Sequence, residues 1–279
     1  MAKVREEKPT TFGQYVELIE NLQARSSNSL WYRGCGRAGF ELLPSLYRHR
    51  TVTALPQLAR LENQLMTRFR QRSIPMHSRS LVDDWDALFF MQHYGVPTRL
   101  LDWTENPFMG LYFAVMSAPF LRDPSGQLSL DASGQPQFGE DSAVWILDPV
   151  KWNQHSLRHQ SYDGGVLTPG DDALKAFKPS LSFAGMNNHP VALYGAHNSP
   201  RIVAQRGVFA IFGQNAKAME SAFDSEKFPD GCLIKVVLEC SLIFGFRNSV
   251  LNFGMTESVV FPDLDGLAKE IRRSFEFEV

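Results

Sequence analysis

The chain has 279 residues, 44% hydrophobic and 12% aromatic, enough to bury a substantial core and unlike a disordered composition. Twenty-eight basic residues against thirty acidic ones leave a net charge of −2, so no global field draws the chain to nucleic acid or to an anionic membrane. Three scattered cysteines (Cys35, Cys232, Cys240), no HExxH or HxH pair and no run of about 18 apolar residues predict a reduced, cytoplasmic chain without metal or membrane span.

Phe12, Tyr15, Val16, Leu18, Ile19 and Leu22 recur at helical spacing, which predicts a first helix over 12–25, ended by "SSNS". "LWYRG" (30–34) reads as a short buried strand with Arg33 at its exit, followed by the glycines 34, 36 and 39. "ELLPSLYRHR" is an extended corner around Pro44. Residues 54–71 form a long, charged amphipathic pattern expected to lie across the surface. A helix over 83–94 starts on aspartates and stops at Gly95. Val96-Pro97 then forces extension, and "TRLLDW" is a short strand or turn. Thr104 or Asn106 can cap the next helix, with Pro107 in its first turn. That helix, 107–118, is almost wholly apolar and should be central.

Residues 121–141 are rich in Gly, Ser and Asp and predict an exposed loop or hairpin insertion. A strand at 143–148 precedes a short helix, "PVKWNQHS"; "DDALKAF" suits another helix and "VALYG" a short strand. "SPRIVAQRGVFAIFG" moves from a Pro-started turn through Arg201 and Gln205 into a strand. Residues 232–239 alternate most clearly, and "PDLDGLAKEIRRSF" closes with a capped helix. Without a βαβ rhythm, a GxGxxG loop or an internal repeat, the reading is α+β: a single domain with helices mainly in the N-terminal half around a mixed or antiparallel sheet.

No phosphate loop, nucleophile elbow or kinase signature is present, so chemistry must come from polar residues set in apolar text. Arg33, next to Gly34, could grip a phosphate through its planar fork or pair with a carboxylate such as Asp102. Gln92, His93 and Tyr94 end a helix, and Thr98, Arg99 and Asp102 follow in extended chain, as a site or as a self-satisfied polar corner. Arg201 and Gln205 stand four apart and could share a face. Glu257 follows Thr256, a plausible N-cap, so it is either a dipole-favoured acid or a functional carboxylate meeting Arg33 across the fold.

"WYRG" (31–34), "LLPSLYR" (42–48), "QHYGVPTRLLDWTENPFMGLYFAV" (92–115), "RIVAQRGVFAIFG" (201–213) and "GMTESVVFPDLDGLAKEI" (254–271) together resemble the bacterial FRG domain family over nearly the whole chain. The family's aromatic-Arg-Gly motif is here Tyr32-Arg33-Gly34. That motif also looks like the first element of R-S-E type ADP-ribosyltransferases, which implies an ADP-ribosyltransferase-like fold. By the resemblance Arg33 would bind an NAD phosphate, Thr98 would take the Ser/Thr role and Glu257 would be the catalytic glutamate. Gly34, Gln92, His93, Tyr94, Arg99, Asp102, Arg201 and Gln205 would be ligand-binding, with Asp102 orienting rather than acting as base.

The implied activity is ADP-ribosyl transfer or NAD hydrolysis in a toxin or phage-defence setting, with NAD as substrate and the macromolecular acceptor open. No Ser-Thr-Ser strand is evident, and "MTESVV" lacks the paired acids of arginine-directed transferases. The alternative is a non-catalytic nucleotide- or nucleic-acid-binding module built on Arg33, Arg99, Arg201 and Arg206. A third reading is a metal-independent hydrolase using Asp102 and His93, with Thr98 or Thr104 as nucleophile.

Overall fold

The structure is a computed structural model that describes residues 4–77, 81, 83–179, 182–196 and 199–277. After a short strand β1 (Arg5–Glu7), helix α1 (Phe12–Arg25) starts at Thr11, whose side chain accepts from the Gln14 N–H. Strand β2 (Trp31–Cys35) leads through the Pro44 corner to α2 (Leu55–Ser73). Helix α3 (Asp84–His93) is capped by Asp83, β3 (Leu100–Thr104) follows, and α4 (Pro107–Met116) is capped by Asn106, which accepts from the Phe108 and Met109 N–H groups. Asn106 rather than Thr104 is therefore the cap. Thr104 instead accepts from the Asn106 N–H and donates to the Gln205 carbonyl at 2.6 Å.

Residues 120–138 run back and forth through the antiparallel bridges Phe120–Phe138, Arg122–Leu128 and Leu130–Pro136. Then come β4 (Ser142–Leu147), α5 (Pro149–Ser156), β5 (Val191–Leu193), α6 (Pro200–Gln205) and β6 (Gly207–Ile211). The chain continues through α7 (Met219–Ser225), β7 (Leu233–Leu238), α8 (Ile243–Asn252), α9 (Glu257–Val260) and α10 (Leu264–Ser274). The helix expected in "DDALKAF" is a 3-10 helix, Asp172–Phe177.

The strands form one mixed sheet in the order β1-β7-β4-β2-β3-β6-β5, parallel only between β1 and β7. Side chains alternate between its faces, and the core divides accordingly. Trp31, Leu101, Trp103, Trp145, Leu147, Ala192, Val208 and Leu233 point to one continuous cluster, which α2 and Trp152 of α5 help to cover. The other face is split. Tyr32, Val144, Ile146, Ile234 and Val236 pack with α4 and α8, whereas Leu100, Phe209, Ile211 and Leu193 pack with α3.

Strands β2 and β3 lie at this divide, and only one pair, Tyr32 with Thr104, joins them in register. The gap between the two clusters is therefore also where the sheet is most weakly paired.

Helix α4 is seated on β2 by a close backbone approach. A Cβ on Gly34 would lie 2.1 Å from the Gly110 carbonyl oxygen and 2.4 Å from the Ala114 nitrogen, and one on Gly110 would lie 2.8 Å from Tyr32 Cβ. Gly34 thus admits helix α4, and it also lines the concavity at the end of β2. Gly34→Ala is expected to lower stability by about 1–3 kcal/mol or more, read as a lower urea midpoint, because α4 must move away from the sheet.

Candidate functional site

The concavity between the two clusters has a volume of about 260 Å3, and its floor is the β2/β3 seam. Tyr32, Arg33, Asp102 and Thr104 come from the floor strands, Gln92 and His93 from α3, Phe113 from α4, and Arg201 and Gln205 from α6. Three stretches far apart in sequence converge, 32–34, 92–117 and 201–209, because the N-capped α4 and the end of α3 both flank the same strands.

Arg33 replaces the missing strand pairing. Beyond the Tyr32–Thr104 pair, its Nη1 donates to the Asp102 carbonyl at 2.6 Å, a main-chain acceptor that a wider gap would otherwise leave open. The expected partnership of Arg33 with Asp102 therefore exists through the backbone carbonyl. Its Nε is buried without a hydrogen-bond partner among the described residues.

The Asp102 carboxylate is held by a chain of hydrogen bonds. The Leu100 N–H donates to Thr98 Oγ1 at 3.0 Å, and the Thr98 hydroxyl donates to Gln92 Oε1, which fixes that amide so that Nε2 donates to Asp102 Oδ2 at 2.7 Å. Water reaches the carboxylate through the pocket mouth, yet it sits deep among protein atoms. That crowding raises its pKa above the ordinary aspartate value, against the pull of Arg33, the Gln92 hydrogen bond and Arg201.

His93, half-buried across the pocket, is shifted the other way. Burial, then Arg201, lower its pKa while Asp102 raises it, so the imidazole is neutral at neutral pH. Its Nδ1 lies 3.4 Å from Ser199 Oγ, the N-cap of α6. Tyr32, at the base, has its phenol pushed up to about 12 by burial.

Arg201 stands with its guanidinium 4.8 Å above the Phe261 ring, and no ion pair with a carboxylate forms among the described residues. Gln205 donates to the Val260 carbonyl at 3.1 Å and ties α6 to α9. An anion entering here would favour protonated His93. Anion affinity is therefore expected to rise as pH falls below about 6.5, and His93→Gln to flatten that profile in binding measured against pH.

The geometry separates the expected site residues. Gly34, Gln92, His93, Asp102, Arg201 and Gln205 join Arg33 at one concavity. Thr98 is wholly buried and reaches the pocket only through Gln92, so it positions rather than reacts, and the nucleophile role weighed for it is removed. Arg99, also wholly buried, points into the opposite cluster. Its Nε donates to both Glu62 carboxylate oxygens at 2.8 and 3.0 Å, its Nη1 to the Phe212 carbonyl and its Nη2 to the Phe177 carbonyl. It is neither a pocket wall nor a member of a phosphate-binding arginine cluster. Helix α2, which carries Glu62, is correspondingly an inward partner of the core as well as a surface helix. Tyr94 is 63% exposed and does not line the pocket.

Glu257 occupies a neighbouring pocket. Both its oxygens lie 2.8–3.0 Å from Arg273 Nε, and Thr256 makes no side-chain cap hydrogen bond to α9. Arg33 and Glu257 therefore do not share one concavity, although the two pockets share Phe113 and Ser117. Phe113 and Ser117 carried no signal in the sequence, because α4 is apolar on every side and its one wet edge is set by the sheet seam.

A larger and more open groove of about 810 Å3 includes His159, Asn187, His189 and Gln214. Several of its polar groups pair with one another or with the backbone, as in His159 with Asn187 at 3.1 Å and Gln214 with the Met186 carbonyl at 2.7 Å. Among the described residues no cluster of three or more His, Cys, Asp or Glu could hold a metal ion, and no helix is long and apolar enough to cross a membrane.

Residues 28–119 match the FRG domain. That stretch of the chain is similar to the FRG domain family. No curated protein and no solved structure matches the chain significantly. The matched FRG segment contains Arg33, Gln92, His93, Asp102 and the whole of α4, so it supplies the pocket floor and two of its walls. The Arg201–Gln205 wall and Glu257 lie after the FRG match.

Proposed function

We propose that the pocket binds a nucleotide of the NAD class and cleaves its N-glycosidic bond, as an ADP-ribosyltransferase or an NAD glycohydrolase acting in toxin or phage-defence biology. The observation that carries this reading is the convergence of two guanidinium groups that form no carboxylate ion pair among the described residues, Arg33 and Arg201, with one braced carboxylate, Asp102, in a single aromatic-walled concavity. The catalytic carboxylate in this reading is Asp102 in place of Glu257, which Arg273 already engages.

The residues fit such a ligand. The buried, unpartnered Nε of Arg33 and the free face of Arg201 are donors for phosphate oxygens, and Tyr32, Phe113 and Phe209 offer apolar surface to a ring. As the glycosidic bond breaks, nicotinamide leaves with the electron pair and positive charge develops on the ribose, which Asp102 opposes across the pocket. Water or an acceptor then bonds to the ribose carbon and gives up a proton. A carboxylate with a raised pKa is suited to receive it.

The test incubates the protein with NAD, alone and with cell extract as acceptor, and follows nicotinamide release beside Arg33→Ala. Release by wild type that falls with the variant supports the reading, and an absence of both binding and release removes it. NAD bound without release identifies the non-catalytic nucleotide-binding alternative.

A further inference from the structure

Past Phe113 and Ser117 the cleft continues into a second pocket of about 270 Å3, lined by Tyr112, Arg247, Glu257, Phe261, Lys269 and Arg273. Three cations from α8 and α10 face one carboxylate. Glu257 is spent on Arg273, both of its oxygens lying against that Nε. Glu270, on the same helix as Arg273, is turned to the Ser258 N–H and hydroxyl.

Arg247 is left without a hydrogen bond or an ion pair among the described residues, its guanidinium carbon 5.3 Å above the Phe120 ring. It is half-buried, and burial lowers its pKa, so its charge is held where water compensates it poorly. Lys269 Nζ lies 5.8 Å from the centre of the Phe261 ring, which Arg201 of the first pocket also contacts. Phe261 is thus a shared partition with a cation from each pocket against it.

A concave, partly dry surface with positive charge in excess lacks a counter-ion. We infer that the second pocket is a phosphate subsite, taking a phosphoryl group through Arg247 and Lys269 with Arg273 behind them. A tetrahedral dianion matches two converging cations better than a lone carboxylate would, and Arg247 supplies the planar fork that phosphate oxygens accept from. Because this pocket adjoins the first along Phe113 and Ser117, a ligand that fills both is elongated and carries an anionic end. The inference goes beyond the glycosidic reading and does not require it.

The test titrates the protein with pyrophosphate and with ADP by calorimetry at low and at raised salt, for wild type, Arg247→Met, Lys269→Met and Arg33→Met. Arg247→Met is expected to weaken pyrophosphate binding by roughly tenfold or more, and Lys269→Met by a few-fold, with a salt-sensitive affinity in wild type. Arg33→Met reports on the first pocket: weakened ADP binding in that variant marks a ligand that reaches both pockets, and an unchanged one marks a phosphate held in the second pocket alone.

Equal pyrophosphate affinity in wild type and in both second-pocket variants, or no binding by wild type, overturns the proposal. Lys269 is exposed, so its variant decides the matter if Arg247→Met does not fold. Intact pyrophosphate binding with no nicotinamide release removes the NAD reading and leaves this subsite standing.

Discussion

Replacing Arg99 with methionine is expected to lower the unfolding free energy by about 3–5 kcal/mol, measured by urea denaturation at neutral pH. Arg99 and Glu62 are both wholly buried, and the guanidinium is satisfied by the carboxylate, two carbonyls and the Phe183 ring at 4.7 Å. Removing the cation alone strands the Glu62 charge in an apolar cluster. Burial already raises the Glu62 pKa, with Arg99 holding it down.

The sign of the pH effect follows from that raised value. A carboxylate whose folded pKa exceeds its unfolded one favours the folded state at low pH and loses that contribution as pH rises. Without Arg99 the folded pKa rises further, so the destabilisation should be smallest near pH 4 and grow above about pH 4.3. The double replacement Glu62→Leu with Arg99→Met should recover most of the loss, because no charge is then left unpaired. A variant that instead left stability unchanged and altered ligand affinity would restore Arg99 to the site.

Under the proposed glycosidic cleavage, Asp102→Asn is expected to reduce nicotinamide release by roughly 100- to 1,000-fold with little change in melting temperature. The side chain faces an open pocket, so the asparagine amide costs the core nothing, and an Asp102-to-Asn exchange keeps the shape that Gln92 holds. The charge opposing the developing positive ribose is what disappears. Glu257→Gln tests the competing assignment in the same assay. If Glu257→Gln abolishes release while Asp102→Asn retains it, the carboxylate assignment reverses, with Arg273 leaving Glu257 on ligand binding. Gln92→Leu should show an intermediate loss of a few-fold, since it unfixes Asp102 without removing its charge.

Much of the local structure was readable from the chain. The span of α1, the 107–116 helix with its Pro107 start, and the strands at 142–147, 207–211 and 233–238 follow, to within a residue or two at their ends, from periodicity and from Gly, Pro and Asx punctuation. Helix α7 and α8 and strand β1 were not anticipated. Strand β1 has three residues and only polar or charged side chains, and it exists because β7 offers a parallel edge. In β7 the expected alternation survives, yet nearly every residue is buried, because the sheet is covered on both faces.

The candidate site divides along the same line. The polar corner at 92–102 could be recognised as dense in hydrogen-bonding groups, but the sequence alone could not say which of its members look outward. Strand alternation sends Leu101 and Trp103 to one face and Asp102 to the other, and the extended step before it buries Arg99 against Glu62, 37 positions away. One register decides both fates, since a shift of a single residue exchanges the faces.

The sequence by itself determined most of the elements, several of their caps and the set of polar residues from which a site had to be drawn, because those depend on contacts within a few positions. Tertiary structure alone decided that Arg33 faces Asp102 rather than Glu257, that Arg99 serves the core, and that Arg247, Lys269 and Arg273 gather beside the pocket. Those outcomes rest on how the split cover of one sheet face leaves a seam over β2 and β3, a property of strand order that no local pattern encodes.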